Sequence, residues 1–249
     1  ACTASEPVPA QVAEAAETAR RVFDQLEARD APVALLSRAG TDLSEYGLHY
    51  SHVGFALRDH AHGRWTVVHL LNRCGSDRSG VFAQGLVNYF LDDLVNQDAR
   101  ITALEPALAG RLAVQLLGDA PLRLHEPRYN VIAPHDGLRS QNSPAWVIEQ
   151  LSAARGPASA SIDRRQAKAR QRADGFQPDH LRIAYSKRVL GGLFSANADF
   201  GEHSLGTRLA GEYPVVTVRA ILRHLDRLGL VQSEWEWRGG RVAAAPGPA

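Results

Sequence analysis

The sequence predicts an α+β protein in which helices pack on an antiparallel sheet. Three observations carry that prediction: a helical apolar period near the N-terminus, one alternating β-hairpin, and later helices opened by Pro and closed by Gly. At 249 residues the chain is long enough for a large core, as one domain with an appendage or as two.

Residues 9–29 read as an amphipathic helix, because Val12, Ala15, Ala16, Ala19, Val22, Phe23 and Leu26 recur at spacings of three and four. Asp30 and Pro32 stop it, and Val33–Leu36 is a short buried strand. The stretch from Ser37 to Gly47 is rich in turn formers. Tyr50 to Leu57 then alternates, with Ser51, Val53, Phe55 and Leu57 on one face and Tyr50, His52, Gly54 and Ala56 on the other. A turn over Asp59–Gly63 leads to the return strand Arg64–Leu71, rich in aromatic and β-branched residues.

Ser79 to Val95 reads as a helix with a stripe of Phe82, Leu86, Tyr89, Phe90 and Leu94. Arg100–Leu104 and Arg128–Ala133 read as strands. Pro106 opens a helix to Leu117 that Gly118 closes, and Ser143-Pro144 opens another through Ala154. Small residues at Gly156–Ser159 mark the best boundary. The expected organisation is an N-terminal helix over residues 1–30, a core over 31–156 and a C-terminal extension over 157–249 packed on it, with a disordered tail from about 240. Within that extension Ser161–Asp174 reads as a basic helix with a solvated charged face. Leu181–Tyr185 and Gly191–Phe200 follow as strands or loops, then helix Val216–Leu228 and strand Gln232–Trp237.

Composition excludes several function classes. Lys and Arg number 28 against 27 Asp and Glu, so no bulk charge draws the chain to nucleic acid or anionic lipid. No apolar run is long enough for a transmembrane helix. The chain has no Met and starts with small polar residues, which leads us to expect a removed leader and an exported, periplasmic or envelope-associated protein. Cys2 and Cys74 either close one disulfide or stand apart as a lipid-modified Cys2 and a small buried Cys74.

His52 is the residue best placed for chemistry. It stands on a strand beside Gly54, where the missing side chain leaves room for a substrate or a helix end. If His60-Ala61 forms the hairpin tip, His52 faces His69 directly, and two facing histidines suit a base and the group that orients it. Ser143 begins a helix, where free backbone N–H groups and the dipole favour a nucleophile and an oxyanion; Ser followed by Pro at the first helical position is also a standard capping arrangement that needs no catalytic role. A metal site at His60, His62 and His69 lacks a carboxylate set beyond Asp59, so no metal and no cofactor is expected.

The segments Ser51-His52-Val53-Gly54-Phe55, Trp65–Asn72 and Gln141–Glu149 resemble the uncharacterised bacterial domain-of-unknown-function family numbered 2145. Gly175–Pro178 and Tyr213–Val218 fit it too, and the resemblance spans roughly Leu35 to Leu228. Its core in turn is similar to circularly permuted papain-like proteins, among them NlpC-like amidases. That resemblance implies a papain-like fold with His52 as base, His69 as its orienting partner, and Ser143 where the family's Cys nucleophile stands. Tyr50, Gly54, Asn142 and Trp146 would line the substrate site, with Asn142 or helix amides at the oxyanion. Serine departs from the pattern, being a poorer nucleophile than a thiolate. Two functions therefore stand beside each other: an amide or ester hydrolase or acyl transferase, and a non-catalytic module holding a peptidoglycan, peptide or acyl ligand in the same cleft.

Overall fold

A computed structural model of the chain describes residues 6–156, 161–186 and 197–243. The N-terminal apolar period forms α1 (Pro9–Glu27), with Ala15, Ala19, Val22 and Leu26 buried along one side. Strand β1 (Val33–Arg38) follows and is buried throughout. The hairpin comprises β2 (His52–His60) and β3 (Gly63–Asn72), joined by the two residues Ala61 and His62.

The expected helix over Ser79–Val95 is corrected. Ser79–Gln84 forms strand β4, and only Leu86–Leu91 is helical, as α2. Gly80 and Gly85 weaken a helix here, while the open backbone groups of β3 reward pairing. The helical stripe holds from Leu86 onward, where Leu86, Tyr89 and Phe90 are buried. Next come β5 (Ala99–Leu104), α3 (Pro106–Leu117) and the single turn α4 (Ala120–Arg123). Arg128–Ala133, expected as a strand, contributes only isolated bridges at Arg128 and Tyr129. The Asn130 side chain accepts from the Ile132 N–H and its carbonyl from the Ala133 N–H, turning the chain instead.

Helix α5 (Ser143–Ala154) is buried along its whole length. It is followed by α6 (Arg164–Ala173), strand β6 (Asp179–Arg182), α7 (Leu205–Ala210), β7 (Glu212–Val215), α8 (Val218–Arg227), β8 (Val231–Arg238) and β9 (Arg241–Ala243). Strands β6 and β7 form a separate antiparallel pair. The other seven make one sheet in the order β4-β3-β2-β1-β5-β8-β9, antiparallel at every junction. Because β8 lies inside this sheet, residues after 157 do more than pack on a finished core. Arg241–Ala243 pairs with β8 where a disordered tail was expected; residues 244–249 lie outside the described ones.

Side chains alternate across the strands, so the sheet separates two cores. Val33, Leu35, Val53, Phe55, Leu57, Val68 and Leu70 pack on one face against α3, α5 and α8. Ala34, Leu36, Ala56, Trp65, Val67 and Ile101 pack on the other against α1 and α2. We call these the α5 face and the α1 face.

The basic helix α6 does not present a simple solvated face. Arg164 and Lys168 turn inward onto Glu149 of α5, at 2.8 and 3.0 Å, and Glu149 has no exposed surface. Gln141 donates to the same carboxylate at 2.7 Å. A buried carboxylate must be paired, and this need draws the cations in. Among the described residues no helix is long and apolar enough to cross a membrane.

Candidate functional site

Hairpin register decides what His52 and His69 can do. The ladder pairs Phe55 with Val68, Leu57 with Thr66 and His60 with Gly63. The expected direct pairing of His52 with His69 is therefore corrected: the tip is Ala61-His62, and continuing the register brings His69 opposite Gly54. The shift is an even number of residues, so both histidines still point to the α1 face. Gly54 opens no space for a substrate. A Cβ there would lie 2.8 Å from His69 Cβ and 2.9 Å from Val67 Cγ1, so the missing side chain is the room into which His69 fits.

The diagonal contact is close. His52 Nε2 lies 2.8 Å from His69 Nδ1, and His69 Nε2 lies 2.9 Å from Gln84 Oε1 at the end of β4. The Gln84 oxygen can only accept, so His69 carries its proton on Nε2 and accepts on Nδ1. His52 Nε2–H must then donate to His69, and the bare His52 nitrogen is Nδ1. That atom makes no hydrogen bond among the described residues. Burial, with the nearby Arg38 guanidinium adding to it, holds His52 well below the usual histidine range and His69 at about 3. Both rings are neutral at pH 7.

Tyr89 of α2 lies over this pair, its ring centroid 5.1 Å from that of His69 and 6.0 Å from that of His52. Arg38, the partner of His52 across β1, stacks 4.4 Å from the Tyr89 centroid, donates to the Tyr89 carbonyl and bonds Asp92 at 2.6 Å. Sequence reading missed Arg38, Gln84, Tyr89 and Asp92. The one available signal was Arg38, a charged residue two positions after the apolar run Val33–Leu36, where burial requires a partner.

Ser143 does not join the histidines. It begins α5 and lies on the other face, where its hydroxyl donates to the Leu70 carbonyl at 2.7 Å. The β2–β3 ladder has ended at Val68, so this carbonyl lies beyond it and takes the serine instead. The expected cap at Ser143 is corrected: the cap of α5 is Asn142, one residue earlier, whose side-chain oxygen accepts from the Ala145 N–H at 2.8 Å. Its side-chain amide donates to the Val131 and Val216 carbonyls, so both of that group's N–H bonds are spent within the protein. Trp146 is fully buried, edge-on to Phe55, and donates to the Pro121 carbonyl. Tyr50 belongs to the α5-face core and donates to the buried Glu236 at 2.5 Å. None of the four expected substrate-binding residues lines an opening with His52, because each is committed to packing or to a protein partner. His60 and His62 meet at the hairpin turn, with centroids 4.9 Å apart, far along the strands from His69.

A concave site does adjoin the histidine cluster. A cleft of about 860 Å³ lies between the first half of α1 and the segment from Phe90 to Asp98. Its walls carry Glu14, Glu17, Asp92, Asp93, Asp98 and Trp237, and none of the described lining residues is Lys, Arg or His. Asp92 belongs both to this cleft and to the Arg38 ion pair. Cys74, which is disulfide-bonded, also reaches it; Cys2 lies outside the described residues.

Fold and site thus define an α+β protein with a neutral histidine relay beneath one sheet face and a separate acidic cleft beside it. The chain belongs to the bacterial family described as an uncharacterized protein conserved in bacteria (DUF2145), whose model matches residues 25–225. No curated protein and no solved structure matches it.

Proposed function

We propose that this chain is a non-catalytic binding protein of the cell envelope, which holds an amine-bearing peptide such as a peptidoglycan stem in the acidic cleft. The observation that carries the reading is the separation of the two halves of the expected dyad. Ser143 spends its hydroxyl on the Leu70 carbonyl of the α5 face, while His52 is a depressed, neutral base on the α1 face. A serine nucleophile needs a base within hydrogen-bond reach, and a base that weak would activate it poorly.

The cleft supplies concavity and a rim of carboxylates. Arg21 stacks 4.3 Å over the Trp237 ring and pairs with Glu17, while Asp92 and Asp98 meet Arg38 and His49. A ligand cation competes with these groups, and Glu14 is its most accessible partner. The disulfide-bonded Cys74 fits an oxidising compartment, which supports export. The test is calorimetric titration with a stem peptide carrying a free side-chain amine, against its N-acetylated form. The amine form binds, acetylation weakens it about tenfold or more, and Trp237→Ala does the same. Turnover of an amide or ester substrate that disappears in both Ser143→Ala and His52→Ala would overturn the reading in favour of a hydrolase or acyl transferase.

A further inference from the structure

The two histidines at the tip of the β2–β3 hairpin serve neither the buried relay nor the acidic cleft. His60 closes the ladder opposite Gly63, and Ala61 and His62 make the turn between them. A turn residue has no strand partner for its N–H, so the His62 amide stands outside the ladder. It donates instead to the His60 ring, 3.1 Å from Nδ1. Nδ1 is therefore the bare nitrogen of His60, and its lone pair already points at a backbone nitrogen. The His62 imidazole is exposed, makes no hydrogen bond among the described residues and stands 4.9 Å from that of His60, centroid to centroid.

Three nitrogens thus converge within one turn: His60 Nδ1, the His62 amide and the His62 ring. Among the described residues no three His, Cys, Asp or Glu side chains are grouped to hold a metal ion. Asp59, beside the turn, is taken by Arg58 and Arg64. A site built of side chains alone, as zinc requires, is therefore not formed at this tip. Copper(II) differs: it prefers a tetragonal array of nitrogen donors, binds most tightly of the divalent first-row ions, and displaces the proton of an amide held beside an imidazole. Two neighbouring donors, each roughly 2 Å from a square-planar centre, stand about 2.8 Å apart, so the contact of 3.1 Å needs only a small closure. Burial, with His62 beside it, holds His60 below the usual histidine range and keeps its lone pair open to a metal. Cys74 is disulfide-bonded and offers no thiol to compete.

We propose that the hairpin tip binds one copper(II) ion through His60 Nδ1, the deprotonated His62 amide nitrogen and His62 Nδ1, with solvent in the fourth position. The His62 N–H bond breaks, its proton passes to the buffer, and a nitrogen–copper bond takes its place; the metal stays copper(II) throughout. The His62 ring closes a chelate with its own amide through Cα, Cβ and Cγ. The site shares no residue with the acidic cleft, and its test does not depend on that reading.

The probe is copper(II) itself, titrated into the full chain against competing glycine at a pH of about 8, above the ordinary histidine range. One ion binds with a Kd below roughly 10 µM, and nitrogen splitting in the electron paramagnetic resonance spectrum counts three nitrogens. His60→Gln and His62→Gln each weaken binding about tenfold or more while thermal unfolding stays unchanged, because both positions lie at an open turn. Zinc(II), which does not displace the amide proton, binds at least about tenfold more weakly than copper. Should either variant fail to fold, paramagnetic broadening of the His60 and His62 resonances in the unaltered chain locates the ion instead. A smaller loss in either folded variant, broadening centred elsewhere, a two-nitrogen spectrum or zinc affinity equal to that for copper overturns the proposal. A Kd above roughly 10 µM overturns it as well, since it marks an adventitious ion only.

Discussion

The two faces of the sheet at the level of β2 handle buried polar groups in opposite ways. On the α1 face His52, His69 and Gln84 satisfy one another in a directional chain, and one histidine nitrogen is left unbonded. On the α5 face the Ser143 hydroxyl donates to the Leu70 carbonyl, which lies beyond the end of the β2–β3 ladder. The same sequence motif, a strand histidine followed later by a helix-opening serine, therefore yields a relay on one side and a structural pin on the other. One strand's thickness separates them, and alternation of side chains keeps it that way.

The largest effect is expected from Gly54→Ala, which drives a Cβ into His69, Val67 and the Val68 carbonyl; a loss of about 3 kcal/mol in denaturant unfolding would show that Gly54 exists to seat His69. A variant within 0.5 kcal/mol of the parent would mean that the gap is open, as a substrate site requires (about the limit for neutral surface changes). Next comes His69→Leu, which leaves His52 Nε2–H and the Gln84 oxygen without partners and costs about 2 kcal/mol.

The relay should also declare itself through pH. Both histidines have lowered folded-state values, so the unfolded chain binds more protons below the ordinary histidine range. Their contribution is fully present above pH 6.5, the unperturbed value, and is lost as pH falls from there toward about 3, where His69 titrates when folded. Each neutral histidine adds at most ~1.4 kcal/mol per pH unit to that slope, and His69→Leu should flatten it between pH 6.5 and 5. An unchanged slope in the variant would show that His69 is protonated or solvated in the native chain.

Ser143→Ala is expected to cost only about 1 kcal/mol, the worth of a hydrogen bond to a backbone carbonyl. The smallest effect is the most diagnostic. In a double-mutant cycle, His52→Ala and Ser143→Ala should add to within about 0.5 kcal/mol, because the residues occupy opposite faces and share no partner. A coupling above about 1 kcal/mol would restore the dyad and end the comparison.

Much of the molecule was legible in advance because it rests on local rules. The helix of residues 9–27, the strand from Val33, the hairpin, and the Pro-opened helices at Pro106 and Ser143 all follow from periodicity, turn formers and capping. So did the assignment of His52 and His69 to one face, since a strand's alternation survives any even shift of register. Those elements, and the sharing of one face by His52, Gly54 and Ala56 within β2, were therefore set locally; Tyr50, which precedes β2, was expected on that face and lies in the opposite core.

Tertiary structure decided the rest. Ser79–Gln84 became a strand because β3 offered it backbone partners, a fact found in no local window. Arg164 and Lys168 turned inward because Glu149, on another helix, is buried and must be neutralised. Above all, the face of the sheet on which α5 settled was set by packing of Trp146, Val147 and Ile148 against Phe55, Val68 and Leu70. Hydrophobic burial is non-directional and answers to the whole available surface, so it could place Ser143 opposite the histidines without disturbing a single local preference.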